Sequence, residues 1–251
     1  MKKIPTLFKR VFTPDHKKTI TCEVTPGCEC VLRGECVATV KWDGACCAII
    51  NGELYKRYDA KIGKDGKRKM PPEGAIPCQP EPDPITGHWP HWVKCEEGKP
   101  EDKYFLMAYQ NFICSRHKNM QDGAQPVKLH PSGWSGWAIY DGTYEAIGPA
   151  WQSNPYGFKD CHLVRHGEDI LPKKNLLDFG LGITFDSLAK YLSESEIEGI
   201  VFWKDNEPIC KIKRSDFGFP WPPKKSDPVA QYIKRFAEVQ KQSRGGLQTF
   251  A

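Results

Sequence analysis

The chain runs to 251 residues, 39% of them hydrophobic and 27% charged, with a formal net charge of +5. That is the balance of an ordinary folded, water-soluble protein, long enough to bury a sizeable core. No apolar run approaches the ~20 residues that cross a bilayer, and the basic start MKKIPTLFKRVF lacks the apolar centre and cleavage site of a secretory signal. The composition therefore reads as a cytoplasmic protein, with the nucleus as the alternative, neither secreted nor partnered with a membrane. The mild positive charge admits an anionic partner such as RNA where basic residues gather, at 56–69 and 211–225. Each run taken alone reads equally well as a solvated loop.

In chain order, the first strong signal is a hairpin: CCAII and ELYKRY flank Asn51-Gly52, a dipeptide suited to a two-residue turn with positive φ. The proline-rich 70–92 reads as an ordered loop or lid. GWAIY and TYEAIG flank Asp141-Gly142 and predict a second hairpin. TFDSLAKYLSESE (184–196) puts Phe185, Leu188, Tyr191 and Leu192 on one helical face, with Thr184 as N-cap. GIVFW (199–203) and ICKIKR (209–214) predict a third hairpin across the turn KDNEP. The tail 227–242 predicts an amphipathic helix, with Asp227 capping and Pro228 in its first turn. Antiparallel sheet dominates this pattern, so the class is α+β. The stretch after Lys213 is too short for a second β-barrel, and one domain over 1–251 is expected.

Eleven cysteines, irregularly spaced and without a secretory segment, argue against a disulfide framework. Cys22, Cys28, Cys30 and Cys36 form the one group with a zinc-like density. Yet Cys28 and Cys30 are separated by a single residue, not by the two to four of a zinc-ligand pair, which favours reduced, partly buried thiols over a metal site.

The chemistry concentrates around TVKWDGACC (39–47). An amine nucleophile needs its lone pair free, and desolvation or nearby cations help to free it. Lys41 opens K-W-D-G, and Asp43-Gly44 offers a turn where a phosphate can approach the backbone. Three further segments carry fitting partners. Glu145 lies in YEAIGP and Glu198 opens the strand EGIVF, while Lys211 and Lys213, two apart, share a strand face as phosphate-binding cations would. Arg57, on the strand after Lys41's hairpin, adds a fork suited to phosphate or a terminal hydroxyl. Alone, each carboxylate or lysine reads as ordinary surface; the order of all four segments is what chance does not readily assemble.

That order, with the blocks LRGECVATVKWDGACC, PDPITGHWP, YEAIGPAWQSNPYG, EGIVFW and KIKRSDFGFPWP spread over most of the chain, resembles the ATP-dependent 5′-to-3′ RNA ligase family within the covalent nucleotidyltransferases. The resemblance implies a single nucleotidyltransferase domain without a C-terminal OB domain, its two antiparallel sheets packed around a nucleotide cleft with flanking helices. It implies that Lys41 takes AMP from ATP, passes it to an RNA 5′-phosphate, and that a 3′-hydroxyl end then displaces it. Asp43, Glu145 and Glu198 would hold hydrated Mg²⁺ (Mn²⁺ as the alternative) or the ribose. Gly44, Arg57, Lys211 and Lys213 complete the ATP-binding set, and the protein would act as a monomer. Val40 stands where relatives often carry an acidic residue, and CHLVRHG (161–167) is the segment expected to face the base. A capping guanylyltransferase would share the lysine chemistry with GTP, and a basic, aromatic RNA-binding module would need none of it.

Overall fold

The computed structural model describes residues 3–12, 18–63, 66, 67, 69–84, 86–120, 140–172 and 183–223. The expected tail helix at 227–242 lies outside them. The described residues are mixed α and β, with antiparallel sheets and few helices. They pack as two units, one formed by Lys3 with Asp43–His166 and the other by Ile4–Trp42 with the chain from Gly167 onward.

The first unit is built on a six-stranded antiparallel sheet. Its strands are β4 (Ala45–Ile50), β5 (Glu53–Ala60), β6 (Ile76–Pro77), β7 (Trp89–Lys94), β8 (Gly142–Ile147) and β9 (His162–Arg165), in the order β6-β7-β5-β4-β8-β9. The β4–β5 turn is the one expected from the sequence, with Asn51 and Gly52 at φ 52 and 76. The Asp141 carboxylate closes it, accepting from the Asn51 and Gly52 N–H groups at 2.8 and 3.1 Å.

Two expectations fail here. TYEAIG pairs with β4 on one edge and β9 on the other, so the hairpin across Asp141-Gly142 is not formed; of GWAIY, only Tyr140 is described. The proline-rich stretch is not all loop. WPHWVK forms β7 between β5 and β6, and Pro90, which has no N–H to give, still accepts from the Cys78 N–H at 2.9 Å.

Alternation divides this sheet into two faces. Cys47, Ile49, Leu54, Tyr144, Ala146 and Leu163 pack with Ala108 and Phe112 of helix α2 (Lys103–Met120), a helix whose weak apolar periodicity gave no sequence signal. The opposite face carries Arg57, Cys46, Glu145 and Thr143, which share the other parity of the same strands.

The second unit contains a three-stranded sheet in the order β11-β10-β3, and the ribbon β1 (Phe8–Phe12) with β2 (Lys18–Val24). Here β3 is Val37–Lys41, β10 is Gly199–Lys204 and β11 is Glu207–Lys213. The β10–β11 hairpin is as expected, its turn tightened onto Asp205 and Asn206 at φ 51 and 62. One face is core: Ala38, Val40, Ile200, Phe202, Cys210 and Ile212 are all buried. Four-residue α1 (Glu29–Leu32) precedes β3, and α3 (Phe185–Glu194) opens on Phe185, which stands edge-on to Phe8 of β1 at 5.0 Å. Thr184 caps α3 as predicted, in a reciprocal pair with Ser187: N–H to hydroxyl at 2.8 and 3.1 Å.

Candidate functional site

Strand register explains why Lys41 and Lys213 meet one carboxylate. Gly199 of β10 stands opposite Lys41 of β3 on one side and Lys213 of β11 on the other. Residues directly opposite on neighbouring strands share a face, so the two lysines flank a position without a side chain. A Cβ at Gly199 would lie 2.2 Å from the Ile212 carbonyl oxygen, so only glycine lets β11 approach this closely. Glu198, one residue earlier and buried, sends its carboxylate into the gap. Lys41 Nζ donates to Oε2 in a tight ion pair, and Lys213 Nζ stands 3.4 Å from Oε1. Lys41 Nζ also lies 3.3 Å from the Trp42 carbonyl oxygen. Lys211 faces the same way one row further along, opposite Val201 and Thr39.

The far edge of β3 is covered by Asp169–Leu171, which accepts from the Val40 N–H and donates to the Ala38 carbonyl, each at 2.9 Å. Trp42 is buried and its indole N–H donates to Asp169 Oδ2 at 2.7 Å, which fixes the chain just after the lysine. Burial raises the Asp169 carboxyl above the ordinary carboxylate range, while the Trp42 bond pulls the other way. Neither Trp42's anchoring role nor Gly199's spacing role was read from the sequence.

In the first unit the same motif continues differently. The Asp43 N–H donates to the Tyr156 hydroxyl at 2.6 Å and the Gly44 N–H to Glu145 Oε1 at 3.1 Å. A Cβ at Gly44 would meet the Ala146 carbonyl oxygen at 2.1 Å. What Gly44 admits is therefore β8 itself, and that contact seats Glu145. Glu145 Oε2 lies 3.0 Å from His166 Nε2, and His166 Nδ1 lies 3.0 Å from Thr143 Oγ1. Arg57 pairs with Asp59 at 3.2 Å and lies against the Cys46 thiol, which burial pushes up to about 12. His166 was missed as a site residue. The signal was present in CHLVRHG, where His162, Val164 and His166 alternate onto one strand face.

Of the expected residues, then, Lys41, Glu198 and Lys213 come together, with Lys211 one row away, and Gly44 and Glu145 come together; Arg57 occupies the same sheet face as Glu145. Asp43, Glu145 and Glu198 are oxygen donors of the kind Mg²⁺ takes, and two of them already hold backbone or side-chain donors that fix their direction. The cysteine group is neither a strand pair nor a simple quartet. Cys28, Cys30 and Cys36 are buried, Cys30 and Cys36 with their sulfurs 3.2 Å apart, while Cys22 is exposed.

No protein-family model matches the chain. It is similar to RNA ligase 1 of Mus musculus, 26% identical in an alignment that covers 74% of this chain and 68% of the mouse protein. This supports an RNA ligase-like relationship.

Proposed function

We propose that this chain is an ATP-dependent RNA ligase that seals a 5′-phosphate to a 3′-hydroxyl end through a lysyl-AMP and an RNA-adenylate. The observation that carries the reading is the row Lys41–Gly199–Lys213 with Glu198 between the two ammonium groups. It is a pre-positioned amine with a carboxylate in hydrogen-bond reach and a second cation alongside, the parts an attack on a phosphate requires.

In the first step the Lys41 amine, having lost a proton, attacks the ATP α-phosphorus and the bond to pyrophosphate breaks. In the second, an oxygen of the RNA 5′-phosphate attacks the lysyl-AMP phosphorus and frees Lys41. In the third, the 3′-hydroxyl attacks the RNA 5′-phosphorus and AMP leaves. Lys213 and Lys211 counter the charge that builds on phosphate oxygens. Glu198 orients Nζ, and Glu145, seated by the Gly44 N–H, would with Asp43 hold the nucleotide or the hydrated Mg²⁺ that offsets phosphate charge. Arg57 supplies a fork for phosphate or ribose. A role in RNA repair follows from the ends it would accept.

The test is incubation with α-labelled ATP or GTP and Mg²⁺. Acid-labile label from ATP on wild type but not on Lys41→Ala supports the reading. Label from GTP instead would make this a capping-type enzyme, and no label from either would leave a non-catalytic RNA-binding module.

A further inference from the structure

The polar face of the six-stranded sheet carries a second kind of chemistry. Cys46 and Glu145 stand directly opposite on β4 and β8. The chain leaving β9 keeps its pairing long enough for the His166 N–H to reach the Thr143 carbonyl at 3.0 Å, which puts the imidazole beside the same carboxylate. One ligand atom each of Cys46, Glu145 and His166 lies within 4.8 Å of the other two, and all three side chains are half-buried. Tetrahedral bonds of ~2.0–2.3 Å to N, O and S put neighbouring ligand atoms about 3.3–3.8 Å apart, so closing this trio on one ion takes only small side-chain adjustments.

The surroundings suit that trio too. Thr143 Oγ1 at 3.0 Å from Nδ1 can hold that nitrogen's proton, which leaves the Nε2 lone pair for a ligand bond. The Gly44 N–H fixes one oxygen of Glu145 and leaves the other directed at His166. A thiolate, a carboxylate and a divalent cation sum to zero, and Arg57 beside Cys46 is itself balanced by Asp59, so the filled site leaves no net charge on a half-buried face. Thiol and imidazole donors select borderline ions such as Zn²⁺ or Co²⁺ and not the hard Mg²⁺.

We propose that Cys46, Glu145 and His166 form a binding site for a zinc-class divalent metal, with a fourth position open. Metal binding stands apart from the ligase reading. Its consequence rests on that reading: an ion here occupies Glu145, so Zn²⁺ should inhibit lysyl-AMP formation.

The experiment titrates the reduced full chain with Co²⁺ and follows the thiolate-to-cobalt charge-transfer band and the d–d bands of four-coordination. Wild type should show both. Cys46→Ser should lose the charge-transfer band, and His166→Gln should weaken Co²⁺ binding by about 10-fold or more. Cys28→Ser and Cys36→Ser should behave as wild type; circular dichroism establishes that each variant is folded. If Cys46→Ser proves unfolded, His166→Gln decides alone. The absence of a band in wild type, its persistence in folded Cys46→Ser, unchanged affinity in His166→Gln, or its loss in folded Cys36→Ser would each overturn the site. In parallel, Zn²⁺ should lower lysyl-AMP formation in wild type and leave Cys46→Ser at its own metal-free rate. Equal Zn²⁺ sensitivity in both would overturn the inhibitory role, whereas no adenylylation in any sample would count against the ligase reading and leave cobalt binding to judge the site.

Discussion

Lys41 and Glu198 show what single residues contribute. A Lys41→Ala chain has no amine to carry AMP, yet the final step needs only aligned ends and the remaining charges. It should fail with ATP and 5′-phosphorylated RNA but still seal RNA supplied as the 5′-adenylate, somewhat slowly; a gel assay with both donors checks this. Glu198→Ala leaves two lysines facing each other without their shared carboxylate, and lysyl-AMP formation should fall by about 10²-fold or more. Asp169 gives a pH signature. Its carboxyl holds a proton to higher pH in the folded chain than in the unfolded one, because burial disfavours the charged form. The folded state is therefore favoured below the ordinary carboxylate range, and that contribution is lost as pH rises through the raised value. Asp169→Asn keeps an acceptor for Trp42, so its stability relative to wild type should rise between pH 4 and pH 7, read from urea midpoints. Residue types were legible at this scale because charge and nucleophilicity are written in the sequence. Partners such as Asp169, Tyr156 and His166 were not, since each meets its neighbour only through pairing between distant segments.

Among the elements, the legible ones were those whose signal is local. Asn51-Gly52 fixes a hairpin through positive φ, and Thr184 fixes a helix start through its own hydroxyl. The elements missed or misread depend on distant partners. β8 is claimed by β4 and β9 and not by its sequence neighbour, and α2 carries so many polar residues that only its contact with the sheet identifies its inner face. Two substitutions probe this scale. Gly199→Ala drives a Cβ to 2.2 Å from the Ile212 carbonyl oxygen, which must part β10 from β11. It should cost about 1–3 kcal/mol and depress lysyl-AMP formation as well, because Lys213 moves with its strand. Thr184→Ala removes the cap of α3 far from Lys41 along the chain and should cost about 1 kcal/mol with the activity retained at a temperature where the variant is folded. Melting curves beside the adenylylation assay separate the two.

At the level of the whole molecule, the motif K-W-D-G read as one object, but the chain passes from one unit to the other inside it, between Trp42 and Asp43, and passes back between His166 and Gly167. Sequence order cannot show this, because the boundary is set by which strands each side joins: β3 pairs with β10, whereas β4 pairs with β5 and β8. The basic runs divide in a similar way. Lys56 is committed to the buried Asp102 at 2.5 Å, and Arg214 is buried, closing the end of α3 on the Leu192 and Ser195 carbonyls. These two hold the fold, so counting them toward an RNA track overstates it. Lys61, Lys67 and Lys69 are exposed in the same 56–69 run, and Lys224 and Lys225 lie outside the described residues. Counterion release then separates the roles. If exposed lysines meet phosphates, the logarithm of RNA affinity falls linearly with the logarithm of salt, and each lost contact lowers the slope by about 0.7–1. Lys61→Ala, Lys67→Ala and Lys69→Ala combined should reduce that slope by about 2–3 with melting temperature unchanged. Lys56→Ala should do the reverse, leaving Asp102 buried without its cation and lowering the melting temperature while the salt slope of the folded protein stays put. A salt titration of RNA binding on wild type and these variants reads both effects, and a slope that the triple variant does not change would remove the 56–69 run from the RNA path.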